Sequence, residues 1–190
     1  MSTLTIDYDA EDVRPTTVAG HRVDIADPAD VLAELAPRLR LMLARDVDLR
    51  VVVSDLIGPV RARPSELERA LVALVSSARD AMPFGGTLTI ELLDVELSAQ
   101  AVAGRARIKP GRYVAVAVSD TGRAMDPRRL ADVFEPLRSN AASRSGLGYV
   151  AGFARRSGGF VAAASDPGRG TDVTIYLPRA ETPARVRKGL

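Results

Sequence analysis

The chain has 190 residues, 46% of them hydrophobic, and a formal net charge of +2 at pH 7. This length suffices for one well-buried domain, and the nearly balanced charge, without a block of like charges, argues against a nucleic-acid partner. The absence of cysteine excludes disulfides, thiol catalysis and cysteine-based metal sites. Because no apolar run approaches the length of a membrane span and the sequence does not open with a signal pattern, we expect a cytoplasmic protein with no membrane partner.

Two polar segments bound the predicted domain. Residues 1–25 lack any sustained hydrophobic period and are interpreted as a tail or linker, and residues 181–190 are interpreted as a second tail. The domain is therefore expected over residues 26–180. It contains no internal repeat.

The first half of this domain predicts two helices with a strand between them. Asp27 and Pro28 are typical of a helix start, as N-cap and first helical residue, and the apolar spacing then continues to about Ala44. Residues 48–53 predict a strand, and Pro64 opens the second helix. The apolar residues of the second helix recur on one face: Leu67, Ala70, Leu71, Leu74, Val75, Ala78 and Met82.

The second half predicts mostly strands. In chain order, the expected elements are strands at 87–92 and 113–119, a short helix from Pro127 through Phe134, a helix ending near Arg156, and a hairpin of 160–164 with 171–177. Helices that alternate with strands, followed by a hairpin, predict an α/β (α+β) fold. We expect a two-layer sandwich in which helices cover one face of a mixed β-sheet.

An aspartate and a glycine follow the strand at 113–119. The carboxylate of Asp120, beside the turn at Gly122, can accept a hydrogen bond from an exocyclic amine such as that of adenine. The same aspartate would also suit a purely structural role as the cap of the turn that follows.

A second glycine motif, Gly146-Leu147-Gly148, lies further along the chain. Its backbone is flexible enough to approach phosphate groups closely, although the glycines could instead permit tight helix packing. Together with Asp120, the motif suggests a nucleotide pocket.

Several short motifs occur in a characteristic order. They are Leu67–Met82, Gly85–Ile90, Asp120–Ala124, Val133–Pro136, Ser145–Gly148, Ser157–Gly159 and Gly168–Thr171. This order resembles the ATP-binding catalytic domain of sensor histidine kinases, within the wider family shared with gyrase, Hsp90 and MutL. The likeness covers roughly residues 23–177 and implies ATP or ADP as the ligand.

The helix that begins at Pro64 departs from the family pattern. There the family carries two asparagines four residues apart, the second of which coordinates the Mg²⁺ that bridges the phosphates. The corresponding residues are Ala73 and Ser77. A methyl group offers no ligand, and a neutral hydroxyl is a poorer one than an amide oxygen, so we expect weak Mg²⁺ binding or none. Ser77 is either a polar contact in the nucleotide site or an inert helix residue.

Further departures fall in the two glycine motifs and between them. Ala124 replaces the second glycine of the adenine motif, at a cost of roughly 1–2 kcal/mol if a left-handed backbone is needed there. Arg144 replaces the first glycine of the second motif, and Arg138 lies where the family's Thr-Thr-Lys is missing. These arginines are either solvated loop charges or groups that neutralise phosphates in place of Mg²⁺.

The only histidine, His21, lacks the surrounding residues of a phosphoacceptor. The family places that histidine in a long dimerisation helix with an acidic and then apolar continuation, whereas His21 follows a glycine. We therefore expect no autophosphorylation within this chain and assign no catalytic residue.

Two functional hypotheses remain. In the first, the chain is a degenerate histidine-kinase-type domain with weak or absent nucleotide binding, which serves as a regulatory or scaffold module for a response regulator or a kinase. In the second, it is an active kinase domain that phosphorylates a partner in trans. Phosphoryl transfer depends on the electrostatic contribution of the metal, so the two lost asparagines favour the first. The sequence leaves the oligomeric state open.

Overall fold

The computed structural model describes residues 24–105, 107–126, 130 and 146–180. Within these ranges, three helices and five strands follow one another along the chain: α1 (Pro28–Met42), β1 (Val47–Val53), α2 (Pro64–Ala81), β2 (Gly86–Leu97), β3 (Gly111–Asp120), α3 (Gly146–Arg156), β4 (Phe160–Asp166) and β5 (Gly170–Pro178). The strands form one sheet in the order β1-β2-β3-β5-β4. Strand β1 is parallel to β2 and the other pairs are antiparallel, so the sheet is mixed, as predicted.

Helix α1 begins as the sequence predicts. The Asp27 carboxylate accepts a hydrogen bond of 3.0 Å from the Ala29 N–H, and Pro28 occupies the first helical position, where its missing N–H leaves no intrahelical bond unmade. The helix ends at Met42, two residues earlier than predicted, because Leu43 adopts an extended backbone that leads into β1.

The main core lies between the helices and one face of the sheet. Alternate residues of the three central strands are buried on that face: Leu88, Ile90, Leu92, Val114, Val116, Val118, Val173, Ile175 and Leu177. The apolar stripe of α2 packs against them, joined by Leu32, Leu35 and Leu39 of α1 and by Val150 and Phe153 of α3. The predicted two-layer sandwich, with helices on one face, is confirmed.

A smaller apolar group lies on the opposite face of the sheet, under the β2–β3 connection (residues 98–110). Val102 from this connection is only 6% exposed, and Tyr113 of β3 is 4% exposed. The Tyr113 hydroxyl donates a hydrogen bond of 2.7 Å to the Lys109 carbonyl and so fastens the connection to the sheet. The sequence did not predict this second covering.

Three separate segments meet in a short ladder at the edge of the core. Val60 pairs with Ala26 on one side through two backbone hydrogen bonds, and forms a bridge with Arg179 on the other. The Ala180 N–H adds a bond of 2.7 Å to the Pro59 carbonyl. The residues just before α1 and just after β5 are therefore held by the same connecting segment.

The remaining predictions differ in their outcome. Strand β2 is twelve residues long and extends five residues past its predicted end. The short helix predicted from Pro127 through Phe134 lies outside the described residues, apart from Leu130, which is buried and donates its N–H to the Asp126 carbonyl. Among the helices of the described ranges, none combines the length and apolar character needed to cross a membrane.

Candidate functional site

An open cleft of about 1450 Å³ lies beside α2. One wall is the face of α2 that is not packed on the sheet, and the other is formed by the end of β3 and the residues that follow it. The first turn of α3, the start of β5, and Arg38 and Met42 of α1 complete the lining. The cleft therefore lies where five elements of the described chain converge.

Asp120, the last residue of β3, lies in this cleft and is only 8% exposed. Its carboxylate accepts a hydrogen bond of 2.8 Å from the Gly122 N–H and a second from the Thr171 backbone. Burial raises the pKa of Asp120, the two amides offset part of the rise, and the nearby charge of Asp172 adds to it. The carboxylate caps its own turn and retains acceptor capacity for a donor in the cleft.

The loop after Asp120 is held on two sides by hydrogen bonds. The Thr121 N–H donates to the Thr87 carbonyl, and the Thr121 hydroxyl accepts from the Thr87 N–H, at 3.1 and 3.0 Å. On the other side, the Arg123 N–H donates to the Ala81 carbonyl at 2.9 Å. The loop thus has a fixed position between β2 and the end of α2 before any ligand binds.

Ser165 of β4 fixes the far end of this loop. Its hydroxyl accepts from the Met125 N–H at 2.8 Å and donates to the Gly170 carbonyl at 3.1 Å. It also lies 2.9 Å from the hydroxyl of Thr171, a cleft residue that is only 6% exposed. Thr171 belongs to one of the motifs recognised in the sequence, whereas nothing in the local sequence pattern indicated a role for Ser165 in the site.

Gly122 is required for close packing and not for an unusual backbone. A Cβ at this position would lie 2.7 Å from the Ala81 carbonyl oxygen, closer than two such atoms can approach, whereas its φ is not positive. Ala124 also lacks a positive φ, so the backbone strain considered for this alanine does not arise.

Ala73 and Ser77 both line the cleft, one helical turn apart on α2. The first turn of α3 packs directly on Ala73, since a Cβ on Gly146 would lie 2.9 Å from the Ala73 Cβ. Across the described ranges, no group of three or more acidic or histidine side chains could hold a metal ion. One hydroxyl and one methyl group do not form a suitable oxygen set for Mg²⁺.

The predicted site residues divide into three groups. Four of them line the cleft together: Ser77, Asp120, Gly146 and Leu147. Two glycines, Gly122 and Gly148, lie beside it without contributing to its lining. The two arginines proposed as phosphate ligands, Arg138 and Arg144, lie outside the described residues.

Charged residues of α1 and α2 also line the cleft. Arg38 of α1 forms an ion pair of 2.5 Å with Glu68, and Asp80 pairs with Arg79 at 2.8 Å. The Arg69 guanidinium lies instead over the ring of Tyr149, 4.5 Å from its centroid. Arg69 and Tyr149 are 80 positions apart in sequence, so no local motif could have predicted this contact.

Residues 62–181 match the family described as histidine kinase-, DNA gyrase B-, and HSP90-like ATPase. The match covers more than half of the chain and includes every described residue of the cleft except those on α1. The chain belongs to this ATPase family.

Relatives of this ATPase domain include several sensor proteins. Sensor kinase CckA of Brucella abortus is 32% identical over 162 residues, which cover 83% of the chain and 17% of that relative. Sensor protein DivL of Caulobacter vibrioides is 30% identical over 76% of the chain and 17% of its own length. Sensor histidine kinase ZraS of Klebsiella oxytoca is 28% identical over 71% and 27%. The chain spans less than a third of the length of each of these relatives.

Solved structures with the same fold include histidine kinase domains. The mycobacterial sensor histidine kinase MprB matches with a TM-score of 0.64 at 23% identity, covering 83% of the chain and 98% of that structure. The catalytic domain of histidine kinase ThkA matches with a TM-score of 0.61 at 16% identity, covering 84% and 98%. These structures share the sheet and helix arrangement of the ATPase domain described above.

Proposed function

We propose that the chain is a histidine-kinase-type ATPase domain that binds ATP or ADP without Mg²⁺-dependent phosphoryl transfer. In this role it acts as a regulatory or scaffold module in two-component signalling, in the cytoplasm. One observation carries the proposal: the cleft keeps a fixed, buried carboxylate at Asp120, whereas its α2 wall offers Ala73 and Ser77 where a metal would need oxygen ligands.

The Asp120 end of the cleft supports recognition of an adenine base. A buried carboxylate discriminates strongly for a ligand with an N–H donor, since a ligand that lacks it leaves the carboxylate unpaired. Hydrogen bonds already fix residues 121–125, so little free energy is needed to order this loop when a ligand binds. Asp120 would accept from the exocyclic amine, with the Thr171 hydroxyl beside it as a second polar contact.

The α2 end of the cleft argues against efficient phosphoryl transfer. Mg²⁺ supplies charge neutralisation and positioning for the transferred phosphoryl group. Ala73 offers no donor or acceptor, and Gly146 of α3 packs closely against its methyl group. Ser77 would supply at most one oxygen ligand to the metal, either directly or through a water.

The class of partner follows from the relatives. They are sensor kinases and sensor proteins, and two-component systems pass their signals through kinases and response regulators. A response regulator or a kinase is therefore the partner that we propose.

Calorimetric titration of the chain with ATP, with and without Mg²⁺, tests this function. We expect binding that EDTA does not abolish, and Asp120→Asn should weaken it about tenfold or more, because a hydrogen bond to a charged group is lost. The matched control is Asp48→Asn, an exposed aspartate of β1 outside the cleft, which should leave the affinity unchanged. Mg²⁺-dependent binding together with phosphorylation of a partner in trans would instead support the active-kinase alternative.

A further inference from the structure

We propose that Arg69 binds the distal phosphates of the nucleotide and takes over the charge neutralisation that a metal would otherwise provide. The inference rests on the proposed function, and it assigns the phosphate end of the same cleft to a residue outside the glycine motifs. Arg138 and Arg144, the arginines that the sequence suggested as phosphate ligands, lie outside the described residues, whereas the position of Arg69 is described.

The position of Arg69 on α2 supports this assignment. Residues 69, 73, 77 and 81 lie at four-residue intervals on one face of the helix, so each step along the cleft is about 6 Å. Ala81 contacts the loop at the Asp120 end, and Arg69 is about 18 Å further along the axis. A nucleotide with its base at Asp120 that extends along α2 would pass Ser77 and Ala73 before its last phosphates reach Arg69.

The charge balance around Arg69 leaves it available for an anion. In the described part of the chain, no acidic side chain forms an ion pair with Arg69, although the residue lines the cleft and is exposed. Its neighbours differ in this respect, since Arg38 is paired with Glu68 and Arg156 with Glu66, at 2.5 and 3.2 Å. Among the described residues, Arg69 is therefore a guanidinium of the cleft whose charge is not paired with a carboxylate.

Tyr149 holds this guanidinium in place. The Arg69 Cζ lies 4.5 Å from the ring centroid, and the Tyr149 hydroxyl donates to the Glu66 carbonyl at 3.4 Å, which anchors the ring against the first turn of α2. Stacking uses the face of the guanidinium and leaves its N–H groups free to donate at the edge. A planar fork of N–H donors that is already oriented suits the bidentate recognition of phosphate.

A guanidinium can also replace one function of the metal without replacing the others. It stays protonated over the whole physiological range and neutralises phosphate charge directly. Unlike a metal ion, however, a guanidinium cannot coordinate phosphate oxygens and protein oxygens at the same time. Binding without metal, but without phosphoryl transfer, is the expected consequence.

The test is calorimetric titration of the full chain with adenosine, AMP, ADP and ATP in EDTA. The native chain should bind ATP and ADP more tightly than adenosine. Arg69→Ala should weaken ATP binding about tenfold or more and leave adenosine binding unchanged. Arg69→Lys should give an intermediate ATP affinity, because it keeps the charge but loses the stacked, bidentate geometry.

Arg156→Ala provides the matched control. Arg156 also lies over the Tyr149 ring, at 5.9 Å, but it is paired with Glu66 and does not line the cleft, so ATP affinity should stay unchanged. Thermal unfolding of each variant in the absence of nucleotide reports whether the fold is intact.

The possible failures are distinguishable. If the native chain binds no adenosine and no ATP, the proposed function is wrong and the inference falls with it. If adenosine binds but ATP and ADP bind no more tightly, or if folded Arg69→Ala keeps the native preference for ATP, the role of Arg69 is refuted while base recognition stands. Equal losses of adenosine and ATP affinity in Arg69→Ala would also refute it, since they would indicate a structural role.

Discussion

At the scale of single residues, Asp120 combines two opposing demands. Burial favours its neutral form and raises its pKa, whereas the proposed hydrogen bond from a base amine is stronger when the carboxylate is ionised. Keeping it charged at neutral pH therefore costs folding free energy. A buried carboxylate that lowers stability in this way is typical of residues that serve binding.

This balance predicts a pH-dependent difference in stability between the native chain and Asp120→Asn. The pKa of Asp120 is higher in the folded than in the unfolded state, so its ionisation destabilises the fold. That cost is absent below the unfolded pKa of about 3.9 and is complete once the pH exceeds the raised folded pKa. Urea unfolding from pH 4 to 8 should thus show Asp120→Asn gaining stability relative to the native chain as pH rises.

Asparagine is a suitable probe because its side-chain oxygen can still accept from the Gly122 N–H. A variant that is less stable than the native chain by a constant amount at every pH would contradict the prediction. It would mean that the carboxylate mainly stabilises the turn.

Only part of the candidate site could be predicted at this scale. Asp120 and Ser77 belong to contiguous motifs, so their positions follow from local spacing. The contact of Arg69 with Tyr149 depends on how α2 packs against α3, and local spacing carries no information about that packing. The need for a glycine at position 122 could not be predicted either, because it comes from the close approach of the Ala81 backbone and not from the conformation of the turn.

At the scale of elements, α1 shows how helix periodicity divides residues between core and solvent. Leu39 is fully buried against α2 and the sheet, whereas Leu41, two residues on, is 88% exposed. Two positions correspond to roughly 200° of rotation about the axis, which turns the second leucine to the opposite side.

The two leucines make a matched pair for a stability measurement. Leu39→Ala should lower the free energy of unfolding by about 2–5 kcal/mol, because it removes buried methyl groups and leaves a cavity. Leu41→Ala should change it by less than about 0.5 kcal/mol, as is usual for an exposed position. Denaturant unfolding of both variants is the measurement, and equal effects would show that α1 is not packed as described.

Element boundaries were less predictable than element types. Strand β2 was predicted over residues 87–92. Asp94 and Glu96, which follow, have low strand propensity. The strand continues to Leu97 because β3 supplies a complete set of backbone partners over residues 111–115. Tertiary pairing thus overrides local preference, and the sequence around β2 does not contain that partner.

At the scale of the whole molecule, the strand order predicts where the fold is most resistant to opening. Strand β3 is central, with β2 on one side and β5 on the other, and both of its faces are covered over much of its length. Strands β1 and β4 each pair with only one other strand in the described sheet. Opening either edge leaves the rest of the core intact.

Native-state hydrogen exchange should therefore be slowest in β3. We expect the amides of Val114, Val116 and Val118 to exchange only through global unfolding, and amides of β1 and β4 to exchange through smaller openings. The measurement is exchange followed by NMR at low denaturant concentrations. Faster exchange in β3 than in β1 would contradict the described strand order.

The ladder at Val60 has a consequence for rearranging the chain. Ala26 and Arg179 flank the same residue on opposite sides, so they lie about two strand spacings, or about 10 Å, apart. A linker of a few residues can span that gap, since each extended residue covers about 3.3–3.6 Å. New termini can be opened at Gly104 in the β2–β3 connection, where the glycine is exposed and an added Cβ would meet no atom within 4 Å. The domain is thus suited to circular permutation, and to insertion into a loop of another protein.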